Sequence, residues 1–125
     1  MIAYMDTHIL VWLYYGELHK LSPAARDAVE ENELVASPIT LLEMELLQEI
    51  GRTRQGASAI IAHLESDIGL RVCDLPFRDI VTHALKESWT RDPFDRLIVA
   101  NAKAAGAGLV TKDARILKHY RRAIW

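Results

Sequence analysis

The sequence predicts an α/β fold with a central, mainly parallel β-sheet flanked by α-helices. Three observations carry that expectation. Short apolar runs such as "IAYM" and "GLV" show no polar alternation, as in strands buried on both faces. Stretches of ten or more residues with helical spacing lie between them, several opened by a serine or aspartate followed by proline. The two kinds of segment alternate along the chain, the pattern of a parallel sheet whose crossovers are helices.

Each element follows from local signals. Ile2 to Met5 form the first strand, which ends at Asp6. "THILVWLYYGE" reads as a helix closed by Gly16, and "SPAARDAVEEN" as a second with Ser22 at the N-cap and Pro23 at N1. A strand at Leu34 to Ala36 leads to Ser37-Pro38, which by the same capping logic opens a third helix reaching about Ile50 before Gly51. "GRTRQG" is a polar loop with a glycine at each end. A fourth helix spans about Ala57 to Asp67, a strand covers "LRVCDL", and Pro76 starts a fifth helix to about Ser88. Pro93 to Ala105 is the next helix. A strand at "GLVT", a short helix at about Ala114 to His119 and a terminal "AIW" complete the chain.

Size and composition fit one domain over residues 1–125: half the residues are apolar and 26% are charged, as in ordinary globular proteins. The longest apolar run, "ILVWLYY", falls far short of the roughly 20 residues that span a bilayer. No membrane segment and no signal peptide are expected. The single cysteine, Cys73, cannot form an internal disulfide, which fits a reducing compartment, so the cytoplasm is the expected location. Charge is uneven: residues 1–50 hold nine acids and two bases, whereas the last fourteen residues hold five bases and one acid. That asymmetry permits an anionic partner at the C-terminal end, although a solvated helix face gives the same count.

Function in open α/β sheets gathers outside the carboxyl ends of the strands. Asp6 follows the first strand and Asp113 follows "GLV", so both belong to one rim. Position alone leaves Asp6 as either an N-cap or a ligand. Glu43 is more informative. Ile39, Leu42, Leu46, Leu47 and Ile50 define an apolar stripe in which position 43 should also be apolar. A carboxylate on a buried face requires a metal or an ion pair, a buried arginine partner being the alternative. Asp92 and Asp95 suit a helix N-terminus as N-cap and N3, with Pro93 at N1. Asp113 is equally an N-cap candidate for the short helix after it, with Thr111 the alternative.

If Asp6, Glu43, Asp95 and Asp113 converge, their mutual repulsion calls for a cation. An all-oxygen donor set suits Mg²⁺ or Mn²⁺ and argues against zinc. Such an ion would activate water for in-line attack on a phosphodiester.

The ordered set Asp6-Thr7, "SPITLLE", "DPFDRLIVANA" and "LVTKDARI" resembles the PIN-domain nucleases. Among these it is most similar to the VapC toxins of VapBC toxin–antitoxin pairs. The resemblance covers essentially the whole chain. It implies a Mg²⁺- or Mn²⁺-dependent endoribonuclease, with Asp6, Glu43, Asp95 and Asp113 as the catalytic acids. Asp6 and Asp95 would be the main metal ligands, with Glu43, Asp113 and the less secure Asp92 as further candidates. Thr7, Thr111 and Asn101 would orient the acids. It further implies a VapB-type antitoxin partner and a homodimer, for which Trp12, Tyr14 and Tyr15 of "VWLYY" offer apolar surface. Arg91, Arg96, Lys112 and Arg115 flank the acids and are candidate contacts to RNA phosphates.

His8, His19, His63, His83 and His119 have no ligand spacing and read as structural or surface residues. Cys73, Trp89 and Trp125 read as packing. Two rival readings are a phospho-acceptor module of receiver type and a PIN-like domain that binds RNA or protein without catalysis. A receiver needs an acidic pair after its first strand, where Asp6 stands alone.

Overall fold

Five short parallel strands form the sheet: β1 (Ile2–Met5), β2 (Glu33–Ala36), β3 (Arg71–Val72), β4 (Gly108–Val110) and β5 (Ala123–Ile124). Their spatial order is β3-β2-β1-β4-β5. The helices are α1 (Thr7–Tyr14), α2 (Pro23–Glu31), α3 (Pro38–Glu49), α4 (Ala57–Ile68), α5 (Phe77–Ala84), α6 (Pro93–Ala104) and α7 (Ala114–His119), with a 3₁₀ turn at Leu18–Lys20. This computed structural model describes residues 1–125. No helix is long and apolar enough to cross a membrane.

Alternation along β1 divides the core into two layers. Ala3 and Met5 face one side, where they pack with Leu10 of α1, Ala25 of α2, Met44 of α3 and Ile60 of α4. Tyr4 faces the other, with Ile98 and Val99 of α6 and Ile116 of α7. Both faces of the central strand are therefore covered, which explains its unbroken apolar run.

The caps form largely as the sequence predicts. Ser22 Oγ accepts the Ala25 N–H at 3.1 Å. Ser37 departs from this: its side chain makes no cap bond, and its carbonyl instead accepts the Thr40 hydroxyl at 2.7 Å. Gly51, just beyond α3, has φ +77°, a left-handed conformation that favours glycine.

Three boundaries differ from expectation. The strand expected over "LRVCDL" pairs only at Arg71–Val72. Cys73 N–H still donates to Ala36 O at 2.8 Å, but the Cys73 sulfur then accepts the Leu75 N–H, turning the chain out of the sheet. Helix α5 stops at Ala84 rather than Ser88, because Arg96 takes the Ala84 carbonyl at 2.8 Å and the Leu85 carbonyl at 3.4 Å. The terminal "AIW" supplies edge strand β5, with Leu109 and Thr111 donating to Arg122 O and Ile124 O.

Candidate active site

In this strand order the chain's direction across the sheet reverses between β1 and β4, and their carboxyl ends open a crevice. Asp6 leaves β1 there, and Thr111 to Asp113 leave β4 beside it; the Asp6 N–H donates to Val110 O at 3.0 Å. Asp6, Glu43, Asp92, Asp95 and Asp113 all line one cavity of about 420 Å³, together with His8 and Lys112. Five carboxylates from four separate segments thus share one solvent space.

Three of these acids also cap helices, and the geometry leaves oxygen to spare. Asp92 Oδ1 accepts the N–H groups of Phe94 and Asp95 at 2.8 and 3.2 Å. Asp113 Oδ1 accepts those of Arg115 and Ile116 at 2.8 and 3.1 Å. In both, Oδ2 receives no protein hydrogen bond. Asp6 is more fully held: Oδ1 accepts Thr7 N–H at 2.8 Å and Oδ2 accepts the Thr111 hydroxyl at 2.6 Å. Capping and exposure of a carboxylate oxygen to the cavity are therefore compatible in one side chain.

The electrostatics reflect crowding. Burial raises the Asp6 carboxyl above its ordinary pKa, and Asp113 adds to this; Thr111, the Thr7 N–H and His8 oppose it. Glu43 is raised for the same first reason, with Thr7 and His8 opposing and Asp6 and Asp92 adding. Asp95 is pushed up to about 7 by burial and then by Asp92, Asp6, Asp113 and Glu43. Its carboxylate receives no hydrogen bond from the protein. Thr7 Oγ1 is buried and closes no hydrogen bond of good geometry, although it is the main polar group lowering Glu43.

This donor set suits a hard cation, which would relieve the mutual repulsion. No three His, Cys, Asp or Glu side chains stand close enough to form a ready-made cage. Mg²⁺ does not require one, since it keeps several waters and usually takes one or two carboxylates. Asp6 is the most buried of the five, and Asp95 and Glu43 are half-buried beside it.

Several sequence readings are corrected. Glu43 does not interrupt a buried stripe: Leu42, Leu46 and Ile50 are 52%, 37% and 67% exposed, and the buried residues of α3 are Thr40 and Met44. Glu43 sits half-buried at the border of that face. Asn101 does not orient the acids; buried in the core, its Nδ2 donates to Tyr4 Oη at 3.3 Å and Cys73 Sγ at 3.2 Å. Arg96 does not reach toward phosphate, because its guanidinium serves the carbonyls of Ala84, Leu85 and Thr90. Arg115 is likewise occupied, donating to Trp89 O with its guanidinium 5.7 Å from the Trp89 ring centre. Arg91 is exposed and does not line the cavity. Lys112 does line it, with Nζ 5.8 Å from the centre of the Trp125 ring.

One residue escaped sequence reasoning. His8 lines the acid cavity and lowers both Asp6 and Glu43. The available signal was its place two residues after Asp6 in the first turn of α1, which metal-ligand spacing could not reveal.

Comparison with known proteins agrees with this architecture. The family model of the PIN domain matches residues 3–122. Ribonuclease VapC22 of Mycobacterium tuberculosis is 35% identical over 118 residues, covering 92% of this chain and 89% of that protein. A toxin–antitoxin complex from Klebsiella pneumoniae superposes with a TM-score of 0.66 at 18% identity, covering 98% and 96% of the two chains. The VapBC-1 structure from nontypeable Haemophilus influenzae gives a TM-score of 0.57 at 21% identity, covering 98% and 92%. At such identities the structural likeness concerns the fold. The receiver-type reading falls with the family match, and the chain belongs to the PIN-domain family.

Proposed function

We propose that this PIN domain is an endoribonuclease, the toxin half of a VapBC-type pair, and that Asp6, Glu43, Asp95 and Asp113 carry its chemistry with Mg²⁺ or Mn²⁺. The observation that supports this most is the single cavity lined by five carboxylates, three of them raised by burial and by one another. An ordinary structural surface has no reason to bear that cost. The ribonuclease relative supports the substrate class, and the toxin–antitoxin likenesses support a VapB-type antitoxin as partner.

In this reading Asp6 and Asp95 hold the ion, and Thr111 fixes the Asp6 carboxylate through its hydrogen bond. The ion would neutralise charge on the phosphoryl oxygens and lower the pKa of the attacking water. Glu43 and Asp113 would orient that water by accepting its hydrogen bonds, one of them taking a single proton as the water attacks and returning it to the leaving oxygen. Lys112, at the cavity edge, offsets phosphate charge. The exposed apolar row Leu42, Leu46 and Ile50, spaced four residues apart along α3 and its C-cap, supports a homodimer through that helix face.

Metal-titrated cleavage of RNA by the purified chain tests the reading. Asp95→Asn is expected to weaken Mg²⁺ binding and with it the rate, and Glu43→Gln to lose about 100-fold or more of the rate, as for removal of an acid–base group. If the folded variants cut as fast as wild type, the acid mechanism is wrong. A wild-type chain that binds RNA yet cuts it with neither metal would instead be a non-catalytic PIN domain.

A further inference from the structure

A second cavity, of about 430 Å³, adjoins the acidic one, and His8 and Trp12 line both. Its character is opposite. Arg52, Arg54 and Lys20 line it beside the aromatic rings of Trp12 and Tyr15. Lys20 is paired with Glu17, while Arg52 and Arg54 are exposed and make no ion pair or side-chain hydrogen bond.

The two arginines sit on the loop between α3 and α4, and its backbone is held from several sides. Tyr15 Oη accepts the N–H groups of Arg54 and Gln55 at 3.2 and 3.3 Å. Gln48 Nε2 donates to Arg54 O at 3.2 Å, and Glu45 Oε1 accepts Ala57 N–H at 3.0 Å. Glu45 and Gln48 also pack their side-chain ends against Gly56. The backbone is fixed and the guanidinium groups are left free, an arrangement suited to receiving anions with little further ordering.

We propose that this groove holds single-stranded RNA flanking the scissile bond, with Arg52 and Arg54 on successive phosphates and Trp12 and Tyr15 as the wall against unpaired bases. The proposal rests on the nuclease reading above. Unpaired positive charge and aromatic faces are what single strands select. Continuity through His8 and Trp12 runs the strand into the carboxylates. A basic track beside an acidic cavity also divides the labour: phosphates would bind on one side and react on the other.

The test is fluorescence anisotropy with a labelled 12-nucleotide single-stranded RNA, over a salt series, using Asp95→Asn as the uncleaving background. Added to it, Arg52→Ala with Arg54→Ala is expected to weaken binding about tenfold or more. It should also reduce the slope of log affinity on log salt by about 1.4, two contacts at about 0.7 each on a single strand. Arg52→Lys with Arg54→Lys should restore most of that slope. A charge-matched control, Arg71→Ala with Arg78→Ala, should bind like the background. Equal weakening by both pairs, or by neither, overturns the proposal. If the groove pair binds RNA normally but loses affinity for a VapB-type antitoxin, the groove docks protein and the proposal is likewise overturned. Failure of the otherwise wild-type chain to cleave RNA would count against the nuclease reading alone, because the anisotropy still reads the groove.

Discussion

The Thr111 hydroxyl donates to Asp6 Oδ2 at 2.6 Å while its oxygen accepts the Asp113 N–H at 3.0 Å. One fully buried hydroxyl thus ties the end of β1 to the turn after β4 and sets the positions of two of the clustered acids. Removing it would leave a buried carboxylate short of a donor and a part-buried N–H short of an acceptor. Thr111→Val is therefore expected to cost about 1–3 kcal/mol at neutral pH and to weaken metal binding or activity about 10–100-fold. Thr111→Ser should recover most of both. Chemical denaturation and metal titration of the three proteins check this.

Asp95 contributes to the pH dependence of the metal-free protein, in the same direction as Asp6 and Glu43, which burial also raises. Its folded pKa of about 7 lies above the ordinary carboxyl value, so the folded state holds the proton more tightly than the unfolded one. The resulting stability is fully present below the unfolded pKa near 4 and is lost as pH rises through about 7. Asp95→Asn removes the Asp95 share of this dependence and leaves that of Asp6 and Glu43. In thermal melts without metal, the variant should match wild type near pH 4 and exceed it at pH 8 by roughly 1–3 kcal/mol. Added Mg²⁺ should narrow the gap at pH 8 by stabilising wild type. Parallel melting curves across the pH range would contradict the assignment.

The exposed row on α3 predicts its own test. Leu46→Glu changes a residue that already faces solvent in the single chain, so its fold and helix content should persist, with stability within about 0.5 kcal/mol. Light scattering should show a dimeric wild type and a monomeric variant. Dimeric behaviour in both would move the interface elsewhere.

Arg96 is expected to matter for folding rather than for RNA. Its three carbonyl partners lie at the end of α5 and in the turn before α6, and the half-buried guanidinium holds those segments together. Arg96→Ala should destabilise by about 1–3 kcal/mol. Arg96→Lys should rescue little, since an ammonium lacks the planar fork that meets separate acceptors. RNA affinity of the folded variants, measured by anisotropy, should change by less than twofold if the residue has no phosphate contact.

The order of strands and helices was legible because its signals are local: apolar runs for β1 and β4, and side-chain caps at Ser22, Asp92 and Asp113. The short ends were not. Cys73 and Arg96 decide where β3 and α5 stop through partners that lie beyond their own segments. Glu43 shows the limit from another side. Sequence reasoning singled it out on a stripe that the structure splits: Ile39 and Leu47 pack against the core, whereas Leu42, Leu46 and Ile50 face solvent. Periodicity finds an apolar face without saying whether that face meets the core or another molecule.

By itself, the sequence determined the α/β alternation and the aspartates at element ends, because capping and strand burial depend on residues a few positions apart. Only the tertiary structure decided which of those acids share a cavity, that His8 and Lys112 join them, and that Arg96, Arg115 and Asn101 are bound elsewhere. The reason is physical. Adjacency of β1 and β4 joins residues about a hundred positions apart, as in the Asp6–Thr111 bond. Whether a charged side chain is free to act depends on the carbonyls and rings that surround it once the chain has closed.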